Sequence, residues 1–315
     1  MKKIIDLILS KHRFLITSHV RLDGDAIGSE LALYHFLRDM GKEVGIYNQD
    51  ETPHNYLFLP GSEVVMHTLN TVEDDDAIFV LDCSEIERIG EAAPRVMAAK
   101  CIINIDHHIS NGGNLGASLI DATSSSTGEI LFRLIKAMGS HLTKEIAVNL
   151  YTAILTDTGS FRYSNTGKET FAVAGKLVEA GAEPHVIAEQ VYDCNPNEKY
   201  RLLARVLDTL EFFWSGRIGT LWVSQRMIRD AGALPEYTEN FVDHARSVRG
   251  VDVAAFFSEI SENYYRVSLR SKGSINVERV ARKFGGGGHV NAAACKIEGP
   301  LEDVKSRTVQ SIMNG

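Results

Sequence analysis

Five short apolar runs near the start of the chain each break off at a polar residue, and helical patterns lie between them. The runs are Arg13–Ser18, Val44–Tyr47, Ala77–Leu81, Cys101–Ile105 and Ala117–Ile120. A short helix fits Ile4–Ser10. Ala26–Met40 places Ile27, Leu31, Tyr34, Leu37 and Met40 at helical spacing and stops at Gly41. Another helix fits near Ala92–Ala99. Continuous apolar runs belong to strands buried on both faces, and their alternation with helices makes those strands parallel. The first half is therefore expected to be a doubly wound, mainly parallel α/β sheet.

Helices dominate from there to about Tyr192. Ser126-Thr127-Gly128-Glu129 reads as a capping box, and helices follow at Lys144–Leu155 and Lys168–Glu179, the latter stopped at Gly181. Asp193-Cys194-Asn195-Pro196-Asn197 is turn-rich and marks a domain boundary. The reading gives one domain over 1–195 and a second over 200–315, with linker and connecting helix at about 193–210. In the second, Glu211–Trp214 pairs with Arg217–Val223, and Val251–Ile260 with Tyr264–Arg270. Helices fit Tyr237–Val248, Asn276–Lys283 and the stretch after Pro300. This is the pattern of a smaller α+β domain.

Charge divides along the same boundary. Residues 1–197 carry 16 Lys and Arg against 27 Asp and Glu, a net −11; residues 198–315 carry 17 against 14, a net +3. An acidic first half suits cations and does not suit tracking along a long duplex, which needs many phosphate contacts. The basic second half suits an anion. The four cysteines are scattered without a CxxC pair, which fits a reducing cytoplasm. No stretch reads as a signal peptide or membrane span.

Chemistry collects at the ends of the predicted strands. The first ends in His19-Val20-Arg21-Leu22-Asp23-Gly24-Asp25, where Gly24 is expected to turn the backbone so that the two carboxylates converge. The third ends in Asp82 and the fourth in Asp106-His107-His108. Carboxyl ends of parallel strands are where open α/β sheets hold ligands. Asp157 follows an apolar helical run, a poor place for a carboxylate unless a cation accompanies it. His19, Asp23, Asp25, Asp82, His107 and Asp157 offer two imidazoles and four carboxylates without a thiolate. That donor set suits Mn²⁺ well and Mg²⁺ or Fe²⁺ less distinctly. It is too large for one open catalytic ion and suits two, with Asp82 placed to bridge them.

In the second half, Gly285-Gly286-Gly287-Gly288-His289 lets the backbone approach an anion and present N–H groups. A helix start after it is expected to add its dipole, and Arg270 to add a bidentate phosphate contact. Glu73-Asp74-Asp75-Asp76 reads as a solvated loop. Phe256, Phe257, Trp214 and Trp222 read as core, while Phe161 or Tyr163 could stack on a base.

These residues resemble the DHH phosphoesterases. The family carries His-x3-Asp-x-Asp, a strand-end Asp, Asp-His-His and a later Asp in this order, met here by His19/Asp23/Asp25, Asp82, Asp106-His107-His108 and Asp157. Gly285–Ala294 is similar to the glycine-rich segment of the DHH-associated domain, with Cys295 where the family often has Gly. The resemblance covers essentially the whole chain. It implies a two-metal phosphoesterase of the bifunctional oligoribonuclease and pAp phosphatase type. Such an enzyme cleaves short RNA to 5′-mononucleotides and pAp to AMP. On this reading His108 contacts the scissile phosphate, Asp106 orients an imidazole, and Arg270 with Gly285–His289 grips a substrate phosphate. Partners are then short RNA or small nucleotides, with no long duplex and no membrane, and homodimerisation is left open. Two alternatives remain: a soluble cyclic-dinucleotide or pApA phosphodiesterase, and a non-hydrolytic nucleotide-binding sensor.

Overall fold

Alternate side chains of the first strand set the layers of the N-terminal half. In the computed structural model, which describes residues 1–69, 77–273 and 275–314, Phe14 and Ile16 point into one core and Leu15 into another, the period of two that a pleated strand dictates. The acidic run Glu73–Asp76 lies outside the described residues. The strands are β1 (Arg13–Thr17), β2 (Glu43–Tyr47), β3 (Val65–Met66), β4 (Ala77–Leu81), β5 (Cys101–Asp106) and β6 (Ala117–Ile120). All pair in parallel, in the order β3-β2-β1-β4-β5-β6. Strand order reverses between β1 and β4, so the carboxyl ends of these two strands flank a topological switch point.

The helices of this half are α1 (Lys2–Ser10), α2 (Gly24–Asp39), α3 (Ala93–Met97), α4 (Thr127–Ala137), α5 (Lys144–Asp157), α6 (Lys168–Glu179) and α7 (Pro184–Ala188). Residues of α2, α4 and α5, among them Ile27, Leu31, Leu131 and Ile154, bury the Phe14, Ile16, Phe79 and Ile103 face. Val96 of α3, with Ile86 and Ile89, covers Leu15, Ile78 and Val80. α2 and α5 meet with almost nothing between them. A Cβ on Gly28 would lie 2.6 Å from the Asn149 carbonyl oxygen. Gly24 has the same role and is not the turn residue that its sequence context suggests. It is the first residue of α2, and a Cβ there would collide with the Thr156 side chain. The turn is made by Asp23, the N-cap, whose carboxylate accepts the Ala26 N–H at 3.0 Å. The capping box at Ser126 is half formed. Ser126 Oγ accepts the Glu129 N–H, but the Glu129 carboxylate bonds Ser125 instead of returning to the cap.

The chain divides into two compact units, Met1–Cys194 and Asn195–Gly315. The second contains α8 (Asn197–Leu207), β7 (Glu211–Phe213), β8 (Ile218–Val223), α9 (Gln225–Ala231), α10 (Phe241–Ser247), β9 (Val253–Ser261), β10 (Tyr264–Ser271), α11 (Val277–Arg282), β11 (Gly287–His289), β12 (Ala292–Glu298) and α12 (Leu301–Met313). Its sheet runs β11-β12-β10-β9-β8-β7 and is antiparallel except at β8–β9. The helix expected over 237–248 is split: Asn240, at φ +66°, separates a single 3₁₀ turn from α10.

The helix expected after the glycine run is absent. Gly287–His289 instead forms β11 and hairpins into β12, while α11 precedes the run. The reason is visible in β12, where Ala293, Cys295 and Ile297 are buried and Ala292, Ala294 and Lys296 are not. That is the alternation of a strand. Gly288 is required at φ +139°, since a Cβ would lie 2.5 Å from the Ala292 carbonyl oxygen. Cys295 is buried against Gly286, so its departure from glycine is a matter of packing. Phe256 and Phe257 are buried, and Trp214 and Trp222 pack partly buried against the core. Among the described residues no helix is long and apolar enough to cross a membrane.

Candidate metal and phosphate site

Each strand end at the switch point delivers a polar side chain into the same buried volume. His19 lies two residues beyond β1 and Asp82 directly after β4, and β5 closes on Asp106 followed by His107. α2 brings Asp25 in its first turn, and α5 brings Asp157 as its last residue. His19 Nε2 lies 3.4 Å from Asp82 Oδ2 and 3.7 Å from Asp23 Oδ2. His107 Nε2 lies 3.5 Å from carboxylate oxygens of Asp25, Asp82 and Asp157. His19, Asp23 and Asp82 thus form one group of potential ligands and Asp25, Asp82 and His107 a second, each with its ligand atoms within 4.8 Å of one another. Asp82 belongs to both. The structure brings together all six residues named from the sequence.

Asp82 sits at φ +51°, a left-handed conformation that a non-glycine residue adopts at a cost of order 1–3 kcal/mol. The strain turns the carboxylate to where both groups reach it. Thr127 Oγ1 donates to Asp82 Oδ1 at 3.0 Å. The first N–H groups of α4 are equally engaged: Thr127 N–H and Gly128 N–H donate to the two oxygens of Asp25 at 2.7 and 2.9 Å. A helix N-terminus is a favourable place for that carboxylate.

The Asp106 carboxylate accepts the main-chain N–H of His107 and His108, His108 Nδ1 at 2.7 Å and Asn111 Nδ2 at 2.7 Å. Asn111 also bonds Asn104 Oδ1, and Asn104 donates to the carbonyls of Val80 and Cys83, which flank Asp82. Asn165 Nδ2 donates to the Ser125 carbonyl at 2.8 Å and to both the carbonyl and carboxylate of Asp157. Thr127, Asn104, Asn111 and Asn165 were not singled out from the sequence. Asn111 and Asn165 lie in loops, where Asn is an ordinary turn residue, and Thr127 reads as part of a helix cap; Asn104, a polar residue inside the apolar run of β5, is the one readable signal. Phe161 stacks on Phe171 and meets Tyr151 edge-on, and Tyr163 lies against Gly159.

The electrostatics are those of a cluster short of positive charge. Burial pushes Asp25 well above the usual carboxylate range, and Asp82 and Asp157 push it further. Burial, with Asp82 and Asp23, pushes Asp157 up to about 6. Asp82 goes the other way. Burial opposes its charge, but the hydrogen bond from His19 and the charges of His108 and His107 hold it far below its ordinary value. His107 is raised to about 9: burial works against the imidazolium, and Asp157, Asp25 and Asp82 outweigh it.

Divalent cations fit this arrangement. His19 Nδ1 is held by the Val20 carbonyl at 2.9 Å and His107 Nδ1 by the Ser124 carbonyl at 3.4 Å. A carbonyl only accepts, so each Nδ1 carries hydrogen and each Nε2 is left to face carboxylates. This is the orientation of a ligating histidine fixed by an outer hydrogen bond. His108 differs, because its Nδ1 is already taken by Asp106.

The second unit offers a different surface. Arg270 on β10 stands opposite Ala292 on β12, and Ala292 stands opposite His289 on β11. Directly paired residues share a face of a sheet, so Arg270 and His289 point the same way, flanking an alanine. β10 alternates strictly, with Tyr265, Val267 and Leu269 buried and Arg266, Ser268 and Arg270 on the less buried side. Since β11 is the sheet edge, one side of its backbone is not paired in the sheet.

Comparison with known proteins adds the following. The sequence model of the DHH family N-terminal domain matches residues 13–154, and that of the DHHA1 domain matches residues 221–313. A protein of Thermus thermophilus named bifunctional oligoribonuclease and PAP phosphatase NrnA is 34% identical over 298 residues, covering 94% of this chain and 88% of that protein. The crystal structure of an exopolyphosphatase-related protein from Bacteroides fragilis superposes with a TM-score of 0.89 at 29% identity, covering 99% of this chain and 95% of that one. RecJ from Thermus thermophilus, crystallised in complex with Mn²⁺, shares the fold at a TM-score of 0.57 and 12% identity, over 100% of this chain and 55% of RecJ.

Proposed function

The chain belongs to the DHH family, and on that premise we propose that it is a metal-dependent phosphoesterase that hydrolyses short oligoribonucleotides to 5′-mononucleotides and pAp to AMP and phosphate. The observation that carries the reading is Asp82, shared between two ligand groups at the switch point. The name of the Thermus thermophilus relative supplies the substrate class.

Two divalent ions would be held by His19, Asp23 and Asp82 on one side and by Asp25, Asp82, His107 and Asp157 on the other. Mn²⁺ is the expected ion, since the donors are mixed nitrogen and oxygen without sulfur. Ions in such a site supply a nucleophile from water at neutral pH and neutralise charge on phosphoryl oxygens. The remaining roles fall to the chain itself. Asp106 accepts a hydrogen bond from His108 Nδ1 and fixes the ring, so that Nε2, when it carries hydrogen, can donate to a phosphoryl oxygen as its charge grows. Asp106 is itself fixed by Asn111 and two main-chain N–H groups, which keeps that donor aimed. Residues 1–195 act as the catalytic body. Residues 200–315 act as the substrate-binding body, in which Arg270 and Gly285–His289 hold a substrate phosphate.

The test is turnover by the purified chain with Mn²⁺ of the dinucleotide pApA, pAp, cyclic-di-AMP and pyrophosphate, compared side by side. Preferred hydrolysis of pApA and pAp is expected. Preference for cyclic-di-AMP or pyrophosphate would replace the substrate assignment, and nucleotide binding without any turnover would make the chain a sensor. Asp82→Ala is expected to abolish hydrolysis with the fold retained by circular dichroism, and substantial remaining activity would sink the two-ion reading.

A further inference from the structure

Arg88 is a charged residue at the switch point that none of the roles above uses. It lies in the turn Ile86–Ile89, a few residues beyond Asp82. Its main-chain oxygen accepts the Val20 N–H at 2.7 Å. Val20 follows His19 directly, and its own carbonyl holds the His19 ring. The turn after β4, which carries Arg88, is thereby tied to the loop after β1, which carries His19.

The side chain of Arg88 is half-buried, and among the described residues it makes no hydrogen bond or ion pair, although Glu85, Glu87 and Glu91 are near in sequence. Leaving a guanidinium partly desolvated without an acceptor is costly. Its charge is felt by the two groups that border Asp82, the His19 ring and the buried Cys83 thiol. A planar, permanently charged fork of donors within electrostatic reach of His19 matches the oxygens of a phosphate.

We propose that Arg88 is a substrate-binding residue whose guanidinium grips a non-bridging oxygen of the phosphoryl group bound next to His19 and Asp82. The proposal rests on the phosphoesterase reading. It adds a phosphate contact from the first unit, independent of Arg270 and Gly285–His289.

Arg88→Met keeps the aliphatic stem and its packing, and Arg88→Ala leaves room for a small cation. For both, the KM for pAp and pApA is expected to rise about 10- to 100-fold, the value of one charge-assisted contact, with an unchanged unfolding temperature. Millimolar guanidinium chloride restores part of the activity of Arg88→Ala and none of that of Arg88→Met, a readout that a purely structural arginine would not produce. Binding of inorganic phosphate to the Mn²⁺-loaded chain, followed by calorimetry, is expected to weaken by a similar factor in both variants. Phosphate affinity equal to the parent's in Arg88→Met overturns the proposal. If the parent hydrolyses neither nucleotide, the phosphoesterase reading has failed, and the phosphate titration still decides Arg88. If Arg88→Ala does not fold, Arg88→Met carries both measurements.

Discussion

At the scale of single residues, this site is held as much by its neighbours as by its ligands. Thr127 touches Asp82 through one hydroxyl and Asp25 through its N–H. Replacing Thr127 by Val keeps the N–H, the shape and the helix start and removes only the hydroxyl bond. Thr127→Val is expected to weaken Mn²⁺ affinity about 10- to 100-fold, the usual effect of losing such a support, read from activity titrated against Mn²⁺ in chelator-buffered solution. An unchanged titration would mean that the strained backbone alone orients Asp82. Glu30 makes a different prediction. One of its oxygens accepts Asn48 Nδ2 at 2.7 Å, and the other has no hydrogen-bond partner among the described residues. Burial pushes its carboxyl up from 4.5 to about 8. Between those values the folded chain keeps a proton that the unfolded chain has released. This contribution to stability is therefore complete below pH 4.5, falls as pH rises, and is gone above about pH 8. Glu30→Gln cannot titrate and should match the parent at pH 5 but exceed it by about 2 kcal/mol or more at pH 8.5, measured by urea unfolding with metal chelated. Parallel stability curves for the two proteins would show that Glu30 stays ionised.

At the scale of elements, what was readable in the sequence was what secondary structure repeats. Apolar runs, helical spacing and acids or imidazoles at strand ends located the sheet and five of the clustered side chains, because a buried parallel strand hands over to polar residues at the ligand edge, and Asp157 was marked by its place at the end of an apolar helix. Asn111, Asn165, Thr127 and Arg88 were not readable. Asn111, Asn165 and Thr127 bond to segments far off in sequence, at Cys83, Ser125 and Asp82, and Arg88 is tied to Val20, and nothing in their spacing encodes that. The glycine run misled for a related reason. Glycine permits turn, helix start and strand alike, and the small residues of Ala292–Ala294 gave β12 too weak an alternation to declare itself. Helix α2 shows packing overruling intrinsic preference. Glycine inside an exposed helix is worse than alanine by about 1 kcal/mol, so Gly28→Ala ought to stabilise. Here the added methyl would meet the Asn149 carbonyl oxygen at 2.6 Å. Gly28→Ala is therefore expected to destabilise by about 1–3 kcal/mol, the cost of overpacking, as a lower urea midpoint with an unchanged slope. A raised midpoint would show that α2 and α5 can part without penalty.

At the scale of the whole molecule, the charge is sorted in the way that a short, highly charged substrate requires. The part that collects carboxylates carries a net −11 and the remainder a net +3. A chain built to track long nucleic acid would spread positive charge over its length, and its binding would weaken steeply with salt, by about 0.7 in log K per log unit of salt for each single-strand phosphate contacted. The phosphate contacts proposed here are few: Arg88 and His108 in the first unit, Arg270 with Gly285–His289 in the second. The logarithm of KM for pApA should then rise with the logarithm of salt concentration with a slope of about 1.4, corresponding to the two phosphates that pApA carries. The measurement needs KM at several potassium chloride concentrations with Mn²⁺ held constant and saturating, so that ion binding does not contribute to the slope. Arg88→Met should lower the slope by about 0.7, because it removes one phosphate contact, whereas Thr127→Val should leave it unchanged, because that residue touches only carboxylates. An RNA of about fifteen nucleotides should give the parent the same slope as pApA; a slope of about 5 or more with that RNA would mean that many more phosphates are neutralised than these residues can reach, and the assignment to short substrates would have to be given up.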